Sequence, residues 1–159
     1  MKTRIIIQSS FLLMALVPLC VALKAQDGNA GKVMTSKVLK SGAEGKTTTA
    51  YFKVQLYDAH TARVQVSKRN PADAFSYALL SNAPSDFAAG VSDKGKMVEI
   101  SSSEMTVVIE KEPYFRIVIK NKKGELLNED MPGTSFGTAF YGTRVTSYKR
   151  LQEGERFIG

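Results

Sequence analysis

Of the 159 residues only Cys20 is a cysteine, and it falls in an N-terminal segment that reads as an export signal. The remainder of the chain therefore has no thiol, which excludes disulfides, thiolate metal sites and cysteine nucleophiles. Histidine is as scarce. His60 alone removes multi-histidine metal clusters and leaves one partner for any Ser-His arrangement. Helical spacing is also missing: after Ala25 no window longer than about ten residues keeps apolar side chains at helical intervals. No metal or other cofactor is expected, and stability must come from packed strands.

Residues 1–25 have the form of a signal peptide. Met1 to Arg4 make a basic start, Ile5 to Leu23 are mostly apolar, and Ala25 offers a small residue for cleavage before Gln26. A membrane anchor is the alternative, since the run approaches the roughly 17–25 residues of a spanning helix, but Pro18 interrupts it. Lipid attachment at Cys20 would want a small residue where Leu19 stands. The expectation is export, to the periplasm or the extracellular space, with no membrane contact after cleavage. Cleavage removes Lys2, Arg4 and Lys24, so residues 26–159 hold 19 basic against 15 acidic side chains, a net charge of +4. Lys120, Lys122 and Lys123 are the densest basic group, and they flank Gly124 in an expected turn. A nucleic-acid partner would need a basic stripe interleaved with stacking aromatics, which the sequence does not display. A solvated face accounts for these lysines.

Residues 26–48 are rich in Gly, Lys, Ser and Thr and read as a flexible lead-in, with Lys32 to Lys40 as a possible first strand. From residue 49 a domain of alternating strands is expected to run to 159. Phe52, Val54 and Leu56 share one face against Lys53 and Gln55, and Ala62, Val64 and Val66 alternate with Arg63, Gln65 and Ser67. An antiparallel hairpin is the economical reading. Phe75 to Leu80 reads as a short strand, and Ser81 to Gly95 as a loop. Met97 to Ser101 and Met105 to Glu110 make the next pair. Phe115, Ile117 and Ile119 then alternate with polar neighbours up to a turn at Asn121 to Gly124. Leu126 and Leu127 begin a return strand, Met131 to Gly142 is rich in glycine and aromatics, and Thr143 to Leu151 forms a last strand. Short strands with turn signals between them indicate an all-β antiparallel sandwich or barrel.

Candidate chemistry is thin. Glycosidic hydrolysis needs two carboxylates about one bond, and Glu125, Glu129 and Asp130 lie close in sequence, as do Glu104, Glu110 and Glu112. Nothing separates them from solvated strand edges and turns. His60 beside Asp58 has the composition of a general base, but a lone loop histidine with a local hydrogen bond explains it. Gly133, Gly137 and Gly142 lack the spacing of a phosphate cradle. Phe136, Phe140 and Tyr141 could stack on sugar or plug the end of a sandwich, and the plug is preferred. No catalytic, cofactor-binding or metal-binding residue is assigned, and substrate-binding residues are unassigned.

Several segments carry a resemblance. Val98-Glu99-Ile100-Ser101, Met105-Thr106-Val107-Val108-Ile109, Phe115-Arg116-Ile117-Val118-Ile119, Gly124-Glu125-Leu126-Leu127 and the closing Glu153-Gly154-Glu155-Arg156-Phe157-Ile158-Gly159 resemble, in order, the N-terminal domain of glycoside hydrolase family 31. Arg63-Val64-Gln65-Val66 looks like an early strand of that domain. The resemblance covers roughly residues 50–159, with Ile158 where an aromatic is common. It implies a galactose mutarotase-like β-sandwich that packs on a catalytic (β/α)8 barrel, the barrel holding the aspartate nucleophile and acid/base of a retaining α-glucosidase or α-xylosidase.

A barrel of that type takes about 250 residues, so this chain is expected to be a fragment truncated before it. The sandwich itself could be incomplete. The implied role is structural, with contact to an α-linked carbohydrate as a further expectation, and without hydrolysis by this chain. Two other readings stand beside it: a free-standing secreted carbohydrate-binding module using Phe136, Phe140 or Tyr141, and a secreted basic interaction protein with no sugar partner.

Overall fold

Alternation of apolar and polar side chains decides which face of each strand leaves water, and the computed structural model shows two antiparallel sheets with those faces turned toward each other. It describes residues 28–70, 87–139, 142–151 and 153–154. Among them the strands are β1 (Gly28–Asn29), β2 (Val33–Leu39), β3 (Gly42–Thr47), β4 (Tyr51–Leu56), β5 (Ala62–Ser67) and β6 (Gly90–Asp93). They continue as β7 (Met97–Ser101), β8 (Met105–Glu110), β9 (Arg116–Asn121), β10 (Leu126–Ala139) and β11 (Gly142–Lys149). One sheet has seven strands in the order β1-β10-β9-β8-β7-β6, with β11 also paired to β10. The other has four, in the order β2-β3-β4-β5. Two separate sheets make this a sandwich and set the barrel alternative aside.

The core is the set of side chains the period-two pattern selects. Phe52, Val54 and Leu56 of β4 face Val98 and Ile100 of β7, Val107 and Ile109 of β8, and Ile117 of β9, all 1% exposed or less. Burying a side chain of this size contributes roughly 1.5–3 kcal/mol relative to leaving it in water. The expected hairpin is β4 with β5, in register Tyr51↔Ser67 through Leu56↔Ala62. The Asn121 to Gly124 turn is closed by the Gly124 N–H donating to the Asn121 carbonyl at 2.9 Å.

Three segments differ from the expectation. The possible strand at 32–40 is β2, but the residues that follow it are also sheet: β3 lies between β2 and β4 and is hydrogen-bonded to both. Its glycines and alanine gave no alternating apolar signal, because their smallness serves a close approach. A Cβ on Gly42 would lie 1.9 Å from the Val54 carbonyl oxygen. Within the expected loop at 81–95, Gly90–Asp93 pairs with β7 as an edge strand. The glycine- and aromatic-rich stretch at 131–139 continues β10, which runs for 14 residues with a register shift between Asp130 and Gly133. The expected strand at 75–80 lies outside the described residues, as does the signal segment.

The N-terminal residues clip the two sheets together. The Ala30 N–H donates to the Thr134 carbonyl at 2.9 Å, and the Gly31 carbonyl accepts from the Phe115 N–H at 2.7 Å, both in the seven-stranded layer. On the other side the Thr48 N–H donates to Lys32 at 3.0 Å. Ala30, fully buried, sits where the chain crosses.

Candidate functional site

The carboxylates are the place to begin, since two of them would be needed for glycoside chemistry. Glu110 and Arg116 face each other across β8 and β9. The guanidinium donates from Nε to Oε2 at 2.7 Å and from Nη2 to Oε1 at 2.9 Å, a bidentate pair. The same guanidinium reaches Glu129 from Nη1 at 3.3 Å, and Arg150 closes on the other oxygen of Glu129 at 3.2 Å. Glu110 holds the Arg116 guanidinium above its ordinary pKa. The four side chains alternate in sign along the outer face of the seven-stranded sheet.

Glu129 and Asp130 are not the solvated edges that the sequence suggested. Their side chains are 12% and 3% exposed, because β10 runs through the sheet interior and is paired on both sides. Asp130 accepts the Ile117 N–H at 3.0 Å and is ion-paired with Lys149. It supports the backbone where the β10 register shifts. Glu104 is paired with Lys122 at 2.9 Å, and that hydrogen bond draws its carboxyl below the usual range. Glu125 accepts from the Asn121 amide at 2.5 Å inside the turn, and Glu112 is exposed.

His60 is exposed in the β4–β5 link. Asp58 Oδ1 accepts the backbone N–H groups of His60 and Thr61 at 2.7 and 2.8 Å, which shapes the turn and lowers the Asp58 pKa, the His60 N–H contributing most. The hydroxyl of Ser102 is committed elsewhere. It donates to the Ala59 carbonyl at 2.7 Å and accepts the Met105 N–H at 3.0 Å, so it closes a turn rather than meeting an imidazole base.

Phe136 is 7% exposed and belongs to the core, with Lys68 Nζ 5.6 Å from its ring centroid. It cannot serve as an open stacking platform. Phe140 and Tyr141 lie outside the described residues. Gly133 and Gly137 are in β10 and Gly142 begins β11, so these three glycines lie in strands. Among the described residues no group of three or more His, Cys, Asp or Glu side chains could hold a metal ion.

A concave feature of the described surface lies on the other sheet, lined mostly by residues of the 26–48 stretch that the sequence reads as lead-in. A cleft of about 360 Å³ is bounded by Thr35, Lys37, Glu44, Lys46, Tyr51 and Asn70. Lys46 Nζ lies 5.5 Å from the centroid of the half-buried Tyr51 ring. The cross-strand pairing Lys46↔Tyr51 brings them together, and nothing in the local sequence announces it.

Residues 51–159 match the glycosyl hydrolase 31 N-terminal galactose mutarotase-like domain. The chain belongs to that family. Its fold agrees: a dextranase of glycosyl hydrolase family 31 from Flavobacterium johnsoniae, solved as a variant with isomaltotriose and again with glucose, superposes with a TM-score of 0.65 at 17% identity. An α-xylosidase of the same family from a soil metagenome, complexed with xylose, gives 0.51 at 17% identity. The match covers 80% of this chain but 16% of the dextranase, and 60% of this chain but 14% of the α-xylosidase. The chain therefore spans under a fifth of the length of these enzymes. No curated protein sequence matches it. The glycosyl hydrolase 31 domain also places β2 and β3 in context, since they complete a sheet whose family match begins only at β4.

Proposed function

We propose that this chain is the N-terminal β-sandwich of an α-glycosidase of glycosyl hydrolase family 31, acting in carbohydrate metabolism as a structural partner of a catalytic (β/α)8 barrel. It is exported by its N-terminal signal and does not hydrolyse glycosides itself. The observation that carries this reading is the match of residues 51–159 to the family's N-terminal domain in a chain that spans 16% of the dextranase. The arrangement of Glu110 and Glu129 around one guanidinium supports the absence of hydrolysis. A retaining glycosidase holds two carboxyl groups about 5–5.5 Å apart on either side of a sugar, one of them able to give up a proton. Here Arg116 occupies the space between the acids, and together Arg116 and Arg150 balance the charge of Glu110 and Glu129. Asp130 is likewise tied to Lys149 and to backbone.

Assayed on aryl α-glucosides and α-xylosides, the purified chain is expected to give no turnover. Hydrolysis that disappears on changing a single Asp or Glu of this chain would overturn the proposal. The cleft beside Tyr51 favours a second role as a carbohydrate-binding module, with the contact surface there and not at Phe136. Retention on an immobilised polysaccharide, lost in Tyr51→Ala, would establish it; retention unchanged by that substitution would refute it.

A further inference from the structure

The basic surplus of this protein is not spread evenly once the strands are assembled. Residues 28–70, which supply the four-stranded sheet, carry eight lysines and arginines against two acids, Glu44 and Asp58, a net +6. Residues 87–154, which supply the rest of the seven-stranded sheet, carry ten against nine, a net +1. On the outer face of the four-stranded sheet Lys37, Lys46 and Lys53 stand against the single acid Glu44, and charge of one sign on one face raises the local concentration of an oppositely charged partner.

Register shows how those charges are laid out. Phe52, Val54 and Leu56 point inward, so Tyr51 and Lys53 point out, and paired residues share their face. One outward row reads Thr35, Lys46, Tyr51, Ser67 across the four strands, and the next reads Lys37, Glu44, Lys53, Gln65. Lys37 and Lys53 flank Glu44 on alternate strands and are therefore roughly 10 Å apart at the backbone, while Lys46 and Lys53 are diagonal neighbours at about 7–8 Å. Glu44 stands 3.9 Å from Lys37 with both side chains well exposed, a weak pairing that leaves the face cationic. The cleft of about 360 Å³ opens between these rows, a size within the range of roughly 300–1,000 Å³ seen for ligand clefts.

We propose that the outer face of the four-stranded sheet, centred on Lys37, Lys46, Lys53 and Tyr51, binds an acidic polysaccharide bearing carboxylate or sulfate groups. Lysines set apart by hydroxyl and amide side chains suit a polymer that carries its charge on every ring or every other ring and offers hydroxyls between. Thr35, Gln65, Ser67 and Asn70 supply the uncharged hydrogen-bonding groups, and Tyr51 offers a ring edge and hydroxyl for pyranose contact. Duplex nucleic acid presents a charge about every 1.7 Å of axis and is met by denser arginine and lysine clusters. A lipid surface would call for large apolar side chains beside the cations, and these two rows hold none. The choice of a glycan among acidic polymers rests on the glycosyl hydrolase 31 reading; the cationic face does not.

The experiment is a titration of the purified chain with polygalacturonate and heparin, beside neutral dextran, duplex DNA and phosphatidylserine vesicles, at low and high salt. An acidic glycan is expected to bind and to weaken with salt, and the Lys46→Glu, Lys53→Glu double variant is expected to raise the Kd about tenfold. Lys123→Glu, in the β9–β10 turn of the other sheet, should leave it unchanged, and equal urea midpoints certify that each variant is folded. Dextran bound as tightly as the acidic glycans would overturn the proposal. So would DNA or vesicles bound as tightly, or a double variant that behaves like the Lys123 control. Absence of binding together with absence of turnover would sink this inference and leave the structural role intact.

Discussion

The rings of Phe52 and Phe115 lie with their centroids 4.9 Å apart and tilted by 32°, one from each layer of the sandwich. Both are 1% exposed. Phe52 comes from β4, and Phe115 immediately precedes β9, where its N–H is held by the N-terminal clip at Gly31. Either residue changed to alanine is expected to lower stability by about 3–5 kcal/mol in urea unfolding. The double variant should reveal a coupling of about 0.5–1.5 kcal/mol. Strict additivity would mean that the ring contact contributes nothing beyond burial.

Asp130 is the acid whose removal should be felt most. Its carboxylate is buried and shared between the Ile117 N–H and Lys149. Asp130→Ala leaves an amide and an ammonium without their partner, and about 3 kcal/mol should be lost. Asp130→Asn keeps an acceptor for Ile117 and should lose less. Equal losses in the two variants would show that the ion pair, not the backbone hydrogen bond, matters here.

Acid should destabilise the protein below the ordinary carboxylate pKa of about 4. Asp93 is held low chiefly by the Lys111 ammonium, which lies 2.8 Å from both of its oxygens, and Glu104 is held low by Lys122. A carboxyl with a lower pKa folded than unfolded stabilises the fold above its unfolded pKa, and that contribution is lost as pH falls through the folded value. Urea midpoints taken from pH 7 down to pH 3 should fall, and Asp93→Asn should fall less steeply than the parent. Parallel curves for the two proteins would remove Asp93 from the account.

Gly133 has φ +108°, and a Cβ there would lie 2.9 Å from the Phe115 carbonyl oxygen. Gly133→Ala is expected to cost about 1–3 kcal/mol through backbone strain, with the contact added to it. Gly124, at φ +82° in the turn, has open space around it. Its alanine variant should be the milder of the two in thermal unfolding, and the reverse order would contradict the close approach at Phe115.

A chain shortened to begin at Tyr51 keeps the segment that matches the family and loses β1, β2 and β3. Half of the four-stranded sheet goes with them, uncovering part of the inner face. No cooperative thermal transition is expected from it, whereas the chain beginning at Gln26 should show one. A sharp transition in the shorter chain would make β2 and β3 dispensable.

Much of the fold was legible because strand periodicity is local. The hairpin β4–β5 and the run β7, β8 and β9 announce themselves by every second residue being Phe, Val, Ile, Leu or Met. β3 did not, since glycine and alanine pack by closeness and give no alternation, and β6 did not, since its four residues Gly90 to Asp93 hold a single apolar side chain, Val91. Leu126 and Leu127 signal a return strand and Phe136 a plug, and Phe136 does pack inward, but as part of one continuous strand. The candidate site was almost wholly illegible. Thr35, Lys46 and Tyr51 meet only through the register of three strands.

The sequence by itself determined that the chain is built of strands and that thiol and multi-histidine chemistry are outside its reach. It also determined which side chains leave water on each strand where alternation is clear. Only the tertiary structure decided that Asp130 is buried and Glu129 half-buried, that Arg116 stands between two acids, and that Lys37, Lys46 and Lys53 share one outer face. The physical reason is that a side chain's face follows from its position along its own strand. Its exposure and its neighbours depend on strands paired beside it, which come from distant parts of the chain.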